Sequence, residues 1–523
     1  LLLPTSGTAR VLGLDVVADT LGVRRQIGFV FGGDRGLYGR ISGLDNLRFF
    51  AELYAVPVGE QRRRIDSLLE LVGLRGRERE RVESYSRGML QRLHIARGLL
   101  HDPPVVFLDE PTLGVDPVGA RELREVIAGL TAAGKTVLLT THYMFEADAL
   151  CDRIAVIAGG RIVAEGTPQD LKARVRDARV IEIEVFGDAA AAAAAMRTLS
   201  GVRSVTVTTR DQAQLITAET APEAELAPAL LAQVDGMAVG RGAARDSWRG
   251  LARADARGCI RRAGPRGMSV LRVVLACWWL NLKNLSRSAF FLLTAVLAPV
   301  LLSTIAFYMF QAGGRPGTLL YAALGSAVYG IWSSTLFGSG GAIQWQRWGG
   351  TLELLVASPA PFVFAVAGFT LATATLGVYS LVATLAWGTL LFDIPLHLAH
   401  PALFAAAIPV TVLSLGLLGL VFASSFVLYR NANALSNMLE YAVLLVTGML
   451  VPLSLLPGWV TPIAWVLAPT WGIRAIRDAA LGGEPLFAIA MTLALAAVYL
   501  LLGAVLIANL ERLARRRGTL SLA

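Results

Sequence analysis

Hydrophobic and polar residues segregate along this chain. Before about residue 285 apolar runs are short and charges are dense between them; after it, apolar blocks long enough to cross a bilayer dominate. The pattern predicts a soluble part joined to a membrane part. From Gly28 to about Ile157, short β-branched runs alternate with helical stretches, as a mostly parallel sheet requires. Val105 to Leu108 and Thr136 to Thr140 are near-continuous apolar runs, the form of strands buried on both faces. Between them, Arg121 to Ala133 reads as the crossover helix. Asp109, Glu110 and His142 then fall at the carboxyl ends of two strands, where open α/β sheets place their ligands.

Further along, Val180 to Val185 and Val205 to Thr208 alternate at period two around an Ala-rich helix, which predicts a small α/β appendage over 173–236. The next stretch, 237–267, is rich in Gly, Ala and Arg without periodicity and reads as a flexible basic linker. Its composition also fits an out-of-frame stretch of GC-rich DNA, and a membrane-protein start, Met268-Ser269-Val270, follows at once. Two adjacent genes merged into one chain is therefore a second reading.

Ser269 to Arg287 reads as a helix lying in the membrane surface. At 100° per residue Arg272, Lys283 and Arg287 fall within about 60° of one another, and Trp278 and Trp279 supply interfacial anchors. The alternative is a helix packed on the soluble part. Six spans follow, near 289–310, 318–340, 362–392, 402–428, 436–456 and 486–510. Arg287, Arg347, Arg430, Arg512 and Arg515 to Arg517 flank one side, and Asp393, His397 and His400 the other, which predicts a multi-pass protein of the cell membrane with both termini cytoplasmic. Arg474 and Arg477 break the rule, so their segment is expected to be a short helical hairpin dipping toward the bilayer. Glu440, beside Tyr441 and near Asn431, Asn433 and Asn437, is expected within reach of water at the start of the fifth span rather than in a substrate site. Gly330, Gly338, Gly340 and Gly341 are expected to permit close helix packing.

Composition refines this picture without changing it. At 523 residues the chain exceeds one core, and roughly three to four domains are expected. The net charge of +9 clusters beside membrane segments, where it sets topology, so nucleic acid is not an expected partner. Cys151, Cys259 and Cys277 form no metal-spaced pair and no disulfide frame. The opening Leu1-Leu2-Leu3-Pro4-Thr5-Ser6-Gly7 has neither a signal peptide's basic start nor an initiating Met, and reads as the interior of a longer sequence.

The strand-end residues suit phosphoanhydride hydrolysis. Asp109 can hold Mg²⁺, mostly through water; Glu110 can polarise an attacking water; His142 can touch a γ-phosphate. Ser86 offers a hydroxyl and Gly88 lets backbone N–H groups approach phosphate oxygens at the start of a helix running through Leu99. Four ordered motifs carry a family likeness. Tyr85 to Leu93 resembles the signature loop of ATP-binding cassette (ABC) ATPases, with Arg87 at the second glycine position; Leu108 to Thr112 resembles their Walker B motif; Gly114-Val115-Asp116-Pro117 their D-loop; Thr140-Thr141-His142 their switch histidine. The likeness spans 1–172 and implies ATP and Mg²⁺ as cofactors. It also implies that Ser86, Arg87, Gly88 and Asp116 face a nucleotide held by a second copy, in a homodimer or a close heterodimer. A GxxxxGK loop ending in Ser or Thr, which would cradle the phosphates, is not in the chain and is expected upstream of residue 1. In the segment Ile27 to Tyr38, which resembles the Q-loop region, Gly32 stands where the family usually has Gln, so no metal contact from that side chain is expected.

The appendage resembles the accessory domain of drug-export cassettes. Gln344 to Pro359 resembles the coupling segment of type-2 ABC export permeases, with a Gly-Thr-Leu-Glu core at Gly350 to Glu353, and Pro452, Leu456-Pro457 and Pro469 resemble their outer re-entrant region. That likeness covers 268–515. The expected architecture is an N-terminally incomplete α/β cassette, a small α/β appendage, and an all-α membrane domain of six helices. The expected function is outward transport of an amphipathic drug, lipid or glycan across the lipid bilayer, coupled to ATP hydrolysis through Trp348, Gly350, Thr351 and Glu353. The alternative is a cassette remnant that scaffolds the permease without hydrolysing ATP.

Overall fold

The computed structural model describes residues 4–33, 35–175, 179–186, 190–210, 213–220, 238–239, 269–312, 319–426 and 432–517. They fall into two compact units, Leu1–Thr140 with Ile260–Ala523, and Thr141–Cys259. The first begins with a ribbon of β1 (Arg10–Val11) and β2 (Leu14–Asp15) and the helix α1 (Thr20–Gln26), capped by Asp19. Its sheet is parallel throughout, in the order β3 (Ile27–Val30), β4 (Val105–Asp109), β5 (Thr136–Thr140), with Val30 opposite Leu108 and Asp109 opposite Thr140. Between β3 and β4 run α2 (Gly43–Leu53), α3 (Val58–Leu71) and α4 (Arg87–Gly98); α5 (Pro117–Ala132) crosses over from β4 to β5. Leu47, Phe50, Ile65, Leu93 and Ile95 form the dry centre of this part.

The apolar runs do not behave alike. Val106 and Leu108 on one face of β4 are fully buried, and on the other Val105 is buried and Phe107 half-buried, as a central strand covered on both faces requires. β5 is an edge strand that packs one face on α5, and Leu138 on the other is 56% exposed. The expected burial of Thr136 to Thr140 on both faces is therefore corrected: an apolar run tells of apolar neighbours, not of its place in the sheet.

The second unit opens with α6 (Met144–Leu150) and an antiparallel pair, β6 (Ile154–Ala158) and β7 (Arg161–Gly166), followed by α7 (Pro168–Val175). The predicted appendage is an antiparallel sheet of β8 (Arg179–Phe186), β9 (Val202–Arg210) and β10 (Ala213–Thr220) with α8 (Ala190–Arg197) beside it. β11 (Ala238–Val239), inside the stretch expected to be linker, adds to it in the order β11-β8-β10-β9, which moves that boundary past 236. Ile183, Met196, Val205 and Ile216 make its core. The linker from Gly240 to Gly267, together with Met268, lies outside the described residues.

The membrane part belongs to the first unit. α9 (Val270–Ser286) is a helix where one was expected; it packs on α2 of the cassette, the alternative considered for it, and also on the membrane part around Phe369 and Thr375. Trp278 donates its indole N–H to Thr375 at 2.9 Å and Asn281 its amide to the carbonyl of Phe369 at 3.1 Å, while Lys283 pairs with Asp45 of α2 at 2.6 Å. Trp279 is 59% exposed. Then come α10 (Ala289–Ala312), α11 (Leu319–Trp348), the short α12 (Leu352–Ala357), α13 (Phe362–Leu376), α14 (Val378–Phe392), α15 (Pro401–Phe426), α16 (Ala432–Val446), α17 (Val460–Trp465), α18 (Ala468–Leu481) and α19 (Pro485–Arg517).

Among the described residues five stretches are long and apolar enough to cross a bilayer: Phe291–Met309, Leu319–Ser339, Phe362–Phe392, Pro401–Ser424 and Pro485–Leu513. The sixth expected span, 436–456, is represented by α16, which stops at Val446 ahead of a left-handed turn at Gly448 (φ +80°). Arg477 of α18 closes that end, donating to the carbonyl of Gly448 at 2.6 Å and to that of Met449. A side chain at Gly330 would run into Ser380 and one at Gly338 into Thr373, as the close-packing expectation requires. Glu440 corrects its expectation: it is buried and accepts hydrogen bonds from Tyr329 (2.7 Å) and Ser333 (2.6 Å) instead of reaching water. Closeness to a helix end along the sequence did not count the neighbouring helix that closes over it. Arg430 and Asn431 lie outside the described residues.

Candidate functional site

The end of β4 sets the carboxylates. Thr140, across the register from Asp109, donates its hydroxyl to Asp109 Oδ1 at 2.5 Å, and the Glu110 N–H donates to the Thr140 carbonyl at 3.0 Å. Glu110 takes a left-handed backbone (φ +43°), a conformation that disfavours a side chain by about 1–2 kcal/mol and gathers at functional sites. Asp109 is exposed and Glu110 half-buried. Gly32 stands against both: a Cβ there would sit 2.6 Å from the Asp109 carbonyl oxygen and 3.0 Å from that of Glu110. The backbone leaves no room for a glutamine at this position. No group of three or more potential metal-ligating side chains occurs among the described residues. A hard cation at Asp109 would thus fill its shell mainly from water and phosphate oxygens, as Mg²⁺ does.

A second cluster forms at the N-terminus of α4. Ser86 caps the helix, its hydroxyl oxygen accepting from the Met89 N–H at 3.3 Å, and the first turn holds no acidic residue that would compete with an anion. Gly88 is buried, and a Cβ on it would lie 3.5 Å from Val115 and 3.9 Å from Asp116 Oδ1. Arg87 lies over Gly114, whose left-handed backbone (φ +73°) would put a Cβ 3.1 Å from the guanidinium. Asp116 caps α5, accepting from the Gly119 N–H at 3.0 Å. Ser86, Arg87, Gly88 and Asp116 thus share one patch.

The far end of α4 reaches the membrane part through Arg97. This side chain is fully buried and donates to the carbonyls of Gly36 (2.8 Å) and Phe29 (3.3 Å). It lies 2.9 Å from His94 Nδ1. Burial, and secondarily Arg97, hold the His94 pKa well below its usual value, so the imidazole is neutral and accepts from the guanidinium. Burial also draws Arg97 down to about 10, which leaves it protonated at neutral pH.

Gly36, fixed in this way, donates its N–H to the Gly349 carbonyl at 2.7 Å. Gly350 follows with φ +67°, and a Cβ on it would be 2.7 Å from Arg35 Cβ. Gln346 Oε1 accepts from Tyr38 (2.8 Å) and Thr351 (2.5 Å), all three buried. Of the residues expected to couple the two parts, Gly350 and Thr351 stand at this contact. Trp348 is 57% exposed, and Glu353 is half-buried, with burial raising its pKa. His142 belongs to the second unit, where its ring lies 4.1 Å from that of Tyr143. Sequence reasoning missed Arg97, Tyr38 and Gln346. An arginine inside the buried stretch Leu93 to Leu100 was the one signal available.

Comparison with known proteins follows the same division. The ABC transporter family matches residues 1–113 and the ABC-2 type transporter family residues 272–481. The ABC transporter ATP-binding protein NatA of Bacillus subtilis (strain 168) is 39% identical over 171 residues, 33% of this chain and 70% of its own length. The chain belongs to the ABC transporter family. Two other relatives of this ABC transporter are the daunorubicin resistance ATP-binding protein DrrA3 of Streptomyces coeruleorubidus, 41% identical over 202 residues, and the linearmycin resistance ATP-binding protein LnrL of Bacillus subtilis (strain 168), 36% identical over 202 residues. Each match covers 39% of this chain, and the chain spans 64% and 65% of the two relatives. The ABC transporter thus carries an ATP-binding cassette and an ABC-2 membrane domain on one multi-pass polypeptide.

Proposed function

We propose that the protein is an exporter in which ATP binding and hydrolysis, at cassettes paired between two copies or close homologues, drive outward movement of an amphipathic compound. A drug is the leading substrate class, ahead of lipid and glycan. The observation that carries this reading is the joint from α4 through Arg97 and Gly36 to Gly349, which ties the signature helix to the loop between two membrane helices. The relatives named for daunorubicin and linearmycin resistance support the drug reading.

ATP, when bound with Mg²⁺, supplies the phosphoanhydride whose cleavage drives the cycle. Asp109 would hold the cation, largely through water. Glu110 polarises the attacking water as general base, and His142 contacts the terminal phosphate. Ser86, Gly88 and the N–H groups opening α4 offer donors to a nucleotide held by the second copy, Arg87 adds positive charge, and Asp116 fixes the adjoining turn. Movement of α4 then shifts the Gly36–Gly349 contact and, with it, α11 and α12. Both termini lie on the cytoplasmic side.

The test measures ATPase activity in the purified dimer. Glu110→Gln should lower the rate by about 10²–10⁴-fold, and daunorubicin uptake into inverted vesicles should fall in step. An ATPase indifferent to Glu110→Gln overturns the mechanism. Hydrolysis with no uptake of any amphipathic compound overturns export.

A further inference from the structure

Beyond nucleotide and transport chemistry, one large concavity stands unassigned. It measures about 1040 Å³ and opens between α2 and α3 of the cassette and α9 at the start of the membrane part. Lys283 and Asp45 are bonded to one another at 2.6 Å on its wall. The rest of the lining is unevenly charged. Arg48, Arg62, Arg79 and Arg272 are all exposed there, and no carboxylate lies within ion-pair distance of them among the described residues. Arg75 also lines it, paired outward with Glu70 at 3.1 Å. Of the lining carboxylates, Asp45 is taken by Lys283, Glu52 is half-buried and accepts from Gln61, and Glu78 is half-buried and accepts from the Gly76 N–H; Asp66 alone is exposed. Accessible guanidinium therefore outweighs accessible carboxylate.

The same groove has an apolar strip. Leu275 (46% exposed) and Trp279 (59% exposed) line it from α9, and Leu271 (65% exposed) stands one turn before Leu275 on the same helix. α9 leads within a few residues into the first membrane-crossing stretch, Phe291–Met309. Guanidinium forks beside an indole and aliphatic side chains, at the level where a chain enters the bilayer, are complementary to an amphiphile with an anionic head.

We propose that this groove binds an anionic phospholipid from the surrounding leaflet. The phosphodiester sits among Arg48, Arg79 and Arg272, and the first methylenes of an acyl chain lie along Leu275 and Trp279. A bound lipid would bridge α9 to α2 and α3, in parallel with the Lys283–Asp45 pair, and so tune how firmly the cassette is held at the membrane surface. Zwitterionic lipids lack the net charge that this arginine wall selects.

The test uses the full 523-residue chain purified in a neutral detergent, with bound lipid counted by native mass spectrometry during titration with dioleoylphosphatidylglycerol or dioleoylphosphatidylcholine. We expect a saturable phosphatidylglycerol site at least about tenfold tighter than any phosphatidylcholine site, weakened about tenfold or more in Arg48→Gln/Arg79→Gln/Arg272→Gln. The matching triple lysine variant should keep most of the affinity, which separates loss of charge from loss of folding. Trp279→Ala should weaken binding by a smaller factor. Equal affinity for the two lipids, or full affinity in the glutamine variant, overturns the proposal. Displacement of the lipid by inorganic phosphate at comparable concentration also overturns it, by assigning the groove to a free anion.

Discussion

Replacing Arg97 by methionine keeps most of the side chain's length and removes its five N–H donors. Two short bonds vanish, to the Gly36 carbonyl (2.8 Å) and to His94 Nδ1 (2.9 Å), and the longer one to Phe29 (3.3 Å) goes with them. A hydrogen bond from a charged donor contributes about 1.5–3 kcal/mol net, so the two short ones represent about 3–6 kcal/mol. Burial lowers the Arg97 pKa to about 10, so the site itself disfavours the cation, and methionine can still pack on the Phe50 ring that Arg97 covers. The lower end, about 3 kcal/mol, is therefore expected. At about 2–4 °C per kcal/mol for a domain of this size, the cassette should melt about 6–12 °C earlier. Arg97→Lys, which keeps a charge but loses the fork, should fall between. The ten tryptophans all lie at or beyond position 248, so fluorescence would not see this part. Peptide-resolved hydrogen exchange over 27–36 and 87–100 during a thermal ramp would. If Arg97→Met melts with the wild type in those peptides, or no earlier than Arg97→Lys, the account of Arg97 as the fastener of Gly36 is wrong.

Other consequences can be checked separately. Gly350→Ala, with its Cβ forced to 2.7 Å from Arg35 in a left-handed backbone, should weaken the joint by about 2 kcal/mol. Exchange of the Gly36 amide should then rise about 30-fold, and an unchanged rate would argue against the contact. Glu440→Leu should strip Tyr329 and Ser333 of their acceptor and destabilise the membrane part by about 2–3 kcal/mol, whereas Glu440→Gln should stay within about 1 kcal/mol. Tryptophan fluorescence melting reads both, since Trp332 donates to the Glu440 carbonyl at 3.4 Å. Burial depresses His101 to about 4 and holds His94 well below its usual value, so both are neutral in the fold at neutral pH. The unfolded chain takes up protons near pH 6.5 that the fold refuses; the stability they confer is full above that pH and declines as pH falls toward 4, by about 3 kcal/mol from His101. A cassette whose stability in urea is flat from pH 7 to 4.5 would contradict this.

Most of the cassette could be read from the chain because its signals are local. The Val105 to Leu108 run, the carboxylates that follow it, and the Ser86-Arg87-Gly88 turn ahead of a helix each occupy a few consecutive residues, and they fold where expected. The same holds for α9, whose period and tryptophans are written within seventeen residues. What escaped was set by distant neighbours. Arg97 acts on Gly36, 61 positions earlier, and nothing near Arg97 points there. Glu440 is closed over by Tyr329 and Ser333 from 111 and 107 positions away, and Leu138 is bare because β5 lies at the sheet's edge. The short Gly-Thr-Leu-Glu core brings Gly350 and Thr351 against the cassette, while Trp348 beside them is largely exposed.

The joint between the two halves of the first unit has a main-chain centre, beside side-chain bonds such as Tyr38–Gln346: an amide at Gly36, a carbonyl at Gly349, and a glycine whose missing Cβ lets Arg35 approach. Such a fastening is indifferent to salt, unlike the Lys283–Asp45 pair on α9, which ions screen over about 10 Å at 0.1 M. At Gly36 and Gly349 it carries no side-chain identity, whereas Tyr38 and Gln346 beside them must match one another. The surface around it can change so long as positions 36 and 350 stay without side chains and the Tyr38–Gln346 and Lys283–Asp45 pairs are kept. An interface of that kind concentrates the matching between the halves in a few positions and leaves the rest of each surface free to vary.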